Sequence, residues 1–227
     1  MKIAVLSGAG ISAESGIATF RGADGLWEGH RIEEVASPEG WAANPDLVLD
    51  FYNQRRKQAL EVEPNAAHYG IAALEQHHEV TVITQNVDNL HERAGSTNII
   101  HLHGELFKSR STVDESLVYE MDHWELKKGD LCEKGSQLRP HIVWFGEMVP
   151  MIEPSVEVIM QADVVIVVGT SMVVYPAAGL VDYARPDAPI YVVNPEVPNF
   201  EFRPAMVHYV QKRATEGVKE VVELLVS

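Results

Sequence analysis

Residues 2–13 read KIAVLSGAGISA, an apolar run followed at once by a glycine-rich turn. The run is typical of a buried strand. The small residues Gly8, Ala9, Gly10 and Ser12 would let the backbone approach a pyrophosphate at the start of a helix. An ordinary strand–helix turn has the same composition, but the position directly after a strand favours a dinucleotide such as NAD.

Short β-branched runs alternate with amphipathic stretches along the chain. The runs predict buried strands at residues 2–6, 80–84, 99–102, 164–168 and 190–194. The amphipathic stretches predict helices at residues 46–60, 65–76, 155–161, 176–185 and 215–226. This alternation favours an α/β fold with a Rossmann-like, doubly wound parallel sheet.

We predict one domain over residues 1–227, with a small module inserted in a larger core. The module is marked by a glycine- and aromatic-rich loop from about residue 22 and by a polar stretch at 107–139. The core is expected at about residues 1–21, 66–106 and 140–227, and the module at about residues 22–65 and 107–139.

The composition excludes several classes of protein. The net charge of −15 argues against broad affinity for nucleic acid or an anionic membrane surface. No stretch reaches the ~20 apolar residues of a membrane span, and the first run is too short for a signal peptide. The single cysteine, Cys132, excludes an internal disulfide. We expect a cytoplasmic monomer with neither nucleic acid nor membrane as a partner.

The segment after the glycine loop does not fit an NAD-linked dehydrogenase. Such an enzyme places an acidic residue ~20 positions on, at the end of a second strand, to hold the ribose. Here residues 19–27 read TFRGADGLW, with no strand before Asp24. An arginine and aromatics suit a lid that excludes water from the nicotinamide half. NAD is therefore expected to bind in another way.

Polar residues follow three of the other predicted strands, at the sheet edge where open α/β folds bind ligands. They are Gln85, Asn86, Asp88, Gly169, Thr170, Ser171 and Asn194. For Asn86 and Asp88 the alternative is a cap of the next helix. His103 follows a fourth strand and is a natural general base, although His101 makes a His-x-His pair with it. No third metal ligand is evident beside that pair.

The glycine loop and its continuation, GAGISAESGI at 8–17 and TFRG at 19–22, resemble the signature of sirtuins, the NAD-dependent protein lysine deacylases. Further matching blocks follow in the family's order: TQNVD at 84–88, HLHGE at 101–105, VWFGE at 143–147, GTS at 169–171 and VNP at 193–195. Together they span nearly the whole chain.

The resemblance implies transfer of the acyl group from lysine to the ribose of NAD. Nicotinamide leaves, His103 deprotonates a ribose hydroxyl, and O-acyl-ADP-ribose and free lysine are the products. Asn86 and Asp88 would complete the catalytic group, while His101 is expected to be structural. The implied NAD-binding residues are Gly8, Ala9, Gly10, Ser12, Glu14, Thr19, Phe20, Arg21, Trp27, Gln85, Asn86, Asp88, His103, Gly169, Thr170, Ser171, Asn194, Glu196 and Ala214.

Tyr52 and Arg55 are three residues apart on a predicted helix and so share a face. A guanidinium beside a phenol can hold a carboxylate, although a surface pair on an amphipathic helix has the same spacing. Tyr-x-x-Arg resembles the pair in sirtuins that remove malonyl, succinyl or glutaryl groups, and Ala36 matches a small residue that leaves room for them. We expect desuccinylation or demalonylation, with weaker deacetylation, and solvated side chains at Arg56 and Lys57.

Residues 143–147 predict an extended segment, which is either an ordinary edge strand or a partner for a substrate backbone. The resemblance favours the second interpretation and makes acylated lysines of proteins or peptides the partners. The residues implied in substrate binding are Val143, Phe145, Gly146 and Glu147.

Most sirtuins hold a structural zinc in the inserted module with two Cys-x-x-Cys pairs. Here Ser111 and Asp114 lie near the place of the first pair, and Cys132 with Gly135 replaces the second. Because structural zinc takes four ligands, we expect no metal. Apolar packing against the core is expected to stabilise the module instead, through Leu117, Tyr119, Met121, Trp124 and Leu126.

Two other functions fit the same sequence. One is protein mono-ADP-ribosylation on the same scaffold, and the other is a non-catalytic NAD-binding module. Asn86, Asp88 and His103 argue against the second. An NAD-linked dehydrogenase is the least favoured function, because the ribose-binding acid is absent.

Overall fold

A computed structural model describes residues 1–18, 27–198 and 206–227 of the chain. Its larger sheet has six strands in the order β3-β2-β1-β7-β8-β9, and every pairing is parallel. These strands are β1 (Lys2–Ser7), β2 (Glu79–Thr84), β3 (Ile99–His101), β7 (Val164–Val168), β8 (Ile190–Val193) and β9 (Val207–Val210). The predicted α/β fold with a parallel sheet is confirmed.

A smaller antiparallel sheet of three strands, in the order β5-β4-β6, lies in the inserted region. Its strands are β4 (Gly104–Ser111), β5 (Val118–Glu120) and β6 (Leu138–Ile142). The module predicted at 107–139 therefore shares its first strand with the end of the preceding core segment.

The described residues form eight α-helices, and some of them cover the two faces of the larger sheet. They are α1 (Gly10–Ala13), α2 (Ile32–Val35), α3 (Pro38–Ala43), α4 (Pro45–Glu61), α5 (Ala66–Leu74), α6 (Leu90–Ala94), α7 (Ile152–Gln161) and α8 (Ala214–Val226). One apolar cluster packs α7 on one face, and a second packs α5 and α8 on the other. The continuous apolar strands follow from this double cover, because neither face meets water. Within the described residues no helix is long and apolar enough to cross a membrane.

Two predicted elements differ from the structure, and one strand of the larger sheet was not predicted. The helix predicted at 176–185 is a 3-10 helix, Ala177–Tyr183. The helix that opens at the glycine loop, α1, is a single turn. Strand β9 was not predicted, because it lies at the sheet edge and none of its side chains is fully buried, so its apolar pattern is weak.

Helix α4 connects the small sheet to the site described below. It begins where Asn44 accepts a hydrogen bond from the backbone N of Leu47 (3.1 Å) and where Pro45 supplies a first-turn residue. A third apolar cluster packs α4 against β4, β6 and the segment after β6, with Phe51, Tyr52, Leu106, Ile142 and Trp144 among its members.

Candidate active site

A cavity of about 630 Å³ opens at the carboxyl ends of the central parallel strands. This is the edge at which open α/β sheets bind ligands, and the volume suits a small-molecule ligand. The predicted residues among its lining are Gly8, Ala9, Gly10, Ser12, Trp27, Ala36, Tyr52, Arg55, Gln85, Asn86, Asp88, His103, Val143, Phe145, Gly146, Glu147, Gly169, Thr170, Ser171 and Asn194. The structure thus brings most of the predicted NAD and acyl residues into one cavity.

The glycine loop packs directly against the turn that follows β7. Gly8 N donates to Val168 O at 3.0 Å, and Gly10 N donates to Gly169 O at 2.7 Å. A Cβ on Gly10 would lie 2.7 Å from the Cα of Gly169, which itself has a φ of +62°. Glycine is therefore required here for contact between two backbone segments, in addition to any approach by a phosphate.

Asn86, Ser12 and Asp88 form a buried hydrogen-bond chain beside this loop. Asn86 Nδ2 donates to Ser12 Oγ (3.1 Å), and Ser12 Oγ donates to Asp88 Oδ2 (3.1 Å). Asp88 also accepts from Leu90 N at the start of α6, so the helix-cap alternative for Asp88 holds as well. Burial raises the pKa of Asp88, against the effect of these two hydrogen bonds. The chain fixes three polar side chains at one end of the cavity.

His103 is oriented as a general base. Its Nδ1 lies 3.1 Å from Gln85 O, and because a carbonyl only accepts, Nδ1 carries the proton and Nε2 is the basic nitrogen. Burial lowers the pKa of His103, with the Gln85 carbonyl opposing this, so the ring is neutral near pH 7. His101 instead bonds Glu92 through Nε2 at 2.6 Å and does not line the cavity. The geometry agrees with a structural His101.

Ala36, Tyr52 and Arg55 form another part of the cavity lining. Tyr52 is fully buried, and its Oη accepts a hydrogen bond from Trp144 Nε1 at 3.1 Å. Burial raises the pKa of the phenol well above its usual value, so Tyr52 keeps its proton as a donor. Ala36 is buried and presents only a methyl group. This part of the lining therefore combines a small side chain with hydrogen-bond donors.

The Arg55 guanidinium is held in place largely by non-hydrogen-bonding contacts. It lies 4.9 Å from the ring centroid of Phe51, and its Nη2 is 3.9 Å from Glu28 Oε2. Its Nε and Nη1 are buried and have no hydrogen-bond partner among the described residues. Burial lowers the pKa of Arg55, and the Glu28 carboxylate opposes that effect. Arg55 is therefore a cation at the cavity wall whose Nε and Nη1 have no acceptor in the part of the chain that the structure describes.

The prediction of an extended segment at residues 143–147 is wrong. Strand β6 ends at Ile142, and the chain then turns, with Glu147 N donating to Trp144 O (3.0 Å) and Gly146 at a φ of +91°. Phe145 N donates to the carbonyl of Ala36 (3.0 Å), which ties this turn to the segment that carries Ala36. An edge strand over the whole segment is excluded by the turn as well.

Glu147 holds that turn rather than offering a free carboxylate. It accepts from Arg139 Nη1 at 2.6 Å, from Arg110 Nη2 at 3.2 Å and from Trp144 N at 2.8 Å. Burial would raise the pKa of Glu147, but the Arg139 hydrogen bond and the other contacts outweigh it and lower the pKa. Arg139 also lies over the Trp144 ring at 3.3 Å. Glu147 lines the cavity as predicted, but its carboxylate is already bonded to groups of the protein.

The expected solvation of Arg56 is wrong. Arg56 is fully buried and donates to Trp124 O (2.6 Å), Leu106 O (3.0 Å) and Asn53 Oδ1 (2.5 Å). The carbonyls of Leu106, in β4, and of Trp124, between β5 and β6, join Arg56 to the smaller sheet, while the next residue, Lys57, is exposed as expected. Helix α4 thus uses one arginine for the cavity and the next for the module.

Three predicted NAD residues do not reach the cavity lining. Glu14 accepts hydrogen bonds from Thr215 N and Oγ1, both at 3.0 Å, and so holds the start of α8. Ala214 is buried in the first turn of that helix, and Glu196 is exposed beyond β8. The predicted residues Thr19, Phe20 and Arg21 lie outside the described residues.

Other lining residues were missed by the sequence analysis. Some of them are neighbours of predicted residues in the sequence. Val87 lies between Asn86 and Asp88, and the segment 173–176 comes soon after residues 169–171 at the same strand end. Their position shortly after a predicted strand was the sequence signal that could have identified them. Glu28 and Gln58 line the cavity only because of how the segments around them pack, so no local pattern marks them.

The residues where the zinc ligands would lie do not fit a metal site. Asp114 Oδ2 accepts from Lys134 Nζ at 2.6 Å, and Ser111 Oγ accepts from the backbone N of Val113 and Asp114. Thr112 Oγ1 donates to Gln137 O at 2.8 Å, which joins the segment after β4 to the segment before β6. Over residues 1–18, 27–198 and 206–227, no three His, Cys, Asp or Glu side chains are placed to hold a metal. The absence of zinc stays a prediction.

The apolar packing predicted for the module is only partly present. Leu126 is buried, whereas Leu117, Tyr119, Met121 and Trp124 are half-buried. Polar contacts supply much of the attachment: Asn53 Nδ2 donates to Leu126 O at 3.0 Å, and Leu126 N donates to Asn53 Oδ1 at 2.9 Å.

The Sir2 family profile matches residues 8–176. The chain belongs to the Sir2 family. A relative from Helicobacter pylori (strain ATCC 700392 / 26695), named NAD-dependent protein deacylase, is 54% identical over 224 residues, which are 99% of this chain and 97% of the relative. A protein of the same name from Bacteroides thetaiotaomicron is 51% identical over 229 residues, with coverage of 99% and 97%.

Solved structures agree with the Sir2 family assignment. A Sir2 homolog–NAD complex superposes with a TM-score of 0.87 at 41% identity, covering 99% of this chain and 89% of the other. A mutant Sir2 homologue bound to ADP ribose superposes with a TM-score of 0.86 at 42% identity, covering 97% and 90%. The predicted family and enzyme class, an NAD-dependent protein deacylase, are thereby confirmed.

Proposed function

We propose that this Sir2 family enzyme removes succinyl and malonyl groups, and less efficiently acetyl groups, from protein lysines and consumes NAD in doing so. Deacylation with NAD follows from the family and from the names of its relatives. Protein lysines as substrates are supported by a Sir2 structure with a deacetylated peptide and acetyl ADP ribose, which superposes with a TM-score of 0.80 at 30% identity.

One observation carries the preference for acidic acyl groups: the unused donors of Arg55. Buried polar groups nearly always have a hydrogen-bond partner, and Arg55 Nε and Nη1 have none among the described residues. A carboxylate that enters with the substrate would supply the missing acceptor, and a guanidinium binds it with two parallel hydrogen bonds. The protonated phenol of Tyr52 adds a neutral donor at the same wall.

The remaining lining residues supply the chemistry common to all acyl groups. NAD would contribute the nicotinamide leaving group and the ribose that accepts the acyl group. His103 Nε2 takes a proton from a ribose hydroxyl, because its Nδ1 proton is held by the Gln85 carbonyl. Asn86, Ser12 and Asp88 present fixed polar groups for ribose and nicotinamide. No nucleophilic serine or cysteine is needed.

The proposal is tested by rates on succinyl-, malonyl- and acetyl-lysine peptides of one sequence, for the wild type and Arg55→Met. We expect kcat/KM for the two acidic acyl groups to fall about 10- to 100-fold, the range for a lost charge-assisted hydrogen bond to a ligand. The acetyl rate should change much less. Lys57→Met is the matched control, because it removes an exposed cation from the same helix. Equal losses on all three peptides would contradict the acyl preference and make Arg55 structural.

A further inference from the structure

Glu28 places a carboxylate of the protein itself beside the proposed anion-binding arginine. Glu28 Oε2 lies 3.9 Å from Arg55 Nη2, both residues line the cavity, and the two side chains are 28% and 15% exposed. We propose that Glu28 competes with the acyl carboxylate for Arg55 and thereby limits how strongly the enzyme prefers acidic over neutral acyl groups. This inference rests on the proposed function, since it concerns the same arginine.

Glu28 lies in a tight turn whose backbone is fixed by two hydrogen bonds. Trp27 N donates to His30 O (2.9 Å) and His30 N donates to Trp27 O (3.0 Å), which closes a two-residue turn. Its central residues, Glu28 and Gly29, both have positive φ, +51° and +81°. Such turns favour Asn-Gly or Asp-Gly, and glutamate is an unfavourable choice at the first position. The turn therefore gives no local reason for a glutamate at this position.

Both ends of the turn are anchored on the helix that carries Arg55. The Trp27 and His30 rings pack edge-on against Phe51, with centroid distances of 4.9 and 5.6 Å. Phe51 is one helical turn before Arg55, and the guanidinium lies over its ring. Phe51 thus contacts both the turn and the arginine. The proximity of Glu28 to Arg55 is therefore a consequence of how the turn packs on the helix.

The contact has the character expected of a displaceable competitor. At 3.9 Å it is an ion pair without a hydrogen bond, and Nε and Nη1 have no hydrogen-bond partner within residues 1–18, 27–198 and 206–227. A substrate carboxylate with bidentate hydrogen bonds would bind Arg55 better, but it would be repelled by a second carboxylate at the same guanidinium. An acetyl group carries no charge and meets no such repulsion. Glu28 therefore acts selectively against the acidic substrates.

The test compares kcat/KM for succinyl- and acetyl-lysine peptides in the wild type, Glu28→Gln, and Glu33→Gln as control. Gln keeps the length of Glu28 and removes its charge. Glu33→Gln makes the same change at an exposed site on the same segment. We expect the succinyl-to-acetyl ratio of kcat/KM to rise about two- to fivefold in Glu28→Gln, the range for one partly exposed ion pair, and not in the control. Thermal melting checks that the variants are folded.

A double-mutant cycle separates this inference from the proposed function. In an Arg55→Met background Glu28→Gln should no longer change the ratio, because the group for which Glu28 competes is gone. An unchanged or lowered ratio in Glu28→Gln, with a selective loss in Arg55→Met, would overturn the competition and leave the proposed function standing. Equal losses of succinyl and acetyl activity in Arg55→Met would overturn both.

Discussion

Replacing Arg56 by Met should destabilise the protein strongly, although the residue was expected to be solvated. The fully buried guanidinium makes three hydrogen bonds, two of them to the carbonyls of Trp124 and Leu106. Met fills a similar volume but leaves both acceptors unpaired. An orphaned buried acceptor costs about 1–3 kcal/mol, and relief from burying a cation offsets part of this. We expect the free energy of unfolding to fall by about 3 kcal/mol.

The assay is urea denaturation followed by tryptophan fluorescence, with Lys57→Met as the control. Burial lowers the pKa of Arg56 to about 10, so the residue stays charged throughout the working range. Lys57 is exposed and lies over the face of the Trp124 ring, at 4.6 Å, so its loss should change the free energy by less than about 1 kcal/mol. Equal stabilities for the two variants would refute the attachment role of Arg56.

Three further predictions concern pH and metal. Because burial lowers the pKa of His103, kcat/KM should fall with acid only below the ordinary histidine value of about 6.5; a limb centred above it would contradict His103 as the base. Burial also lowers the pKa of His68 to about 4 and of His91 to about 3. The unfolded chain therefore binds protons first, and the free energy of unfolding should fall as pH drops from about 6.5 towards 4; equal stability at pH 7.5 and 5.5 would argue against this. Finally, metal analysis of purified protein should find no stoichiometric zinc, and a chelator should leave activity unchanged; loss of activity on chelation would refute the absence of a metal site at Cys132.

The parallel sheet could be predicted because its strands are buried on both faces. Strand β7 is a continuous apolar run and β1 is one from residue 3 to residue 6, so their positions are local properties of the sequence. The polar residues after them could be placed at one edge because parallel strands end together. The cavity confirms that placement for Asn86 and His103.

The features that escaped prediction depend on partners distant in sequence. Arg56 looks like its solvated neighbour Lys57, and only carbonyls 50 and 68 residues away distinguish the two. The turn at Glu147 depends on Arg110 and Arg139, although Gly146 was a local signal against an extended segment. The pairing of Glu28 with Arg55 requires the packing of a turn on a helix, which periodicity does not report.

In the proposed function, one cavity joins NAD chemistry to removal of an acidic acyl group. Mass spectrometry of a succinyl-lysine peptide incubated with NAD and the wild-type enzyme tests this most directly. We expect free lysine peptide, nicotinamide and O-succinyl-ADP-ribose to form together, and none of them to form with His103→Ala. A peptide that keeps its succinyl group, whether unmodified or carrying ADP-ribose, would contradict it.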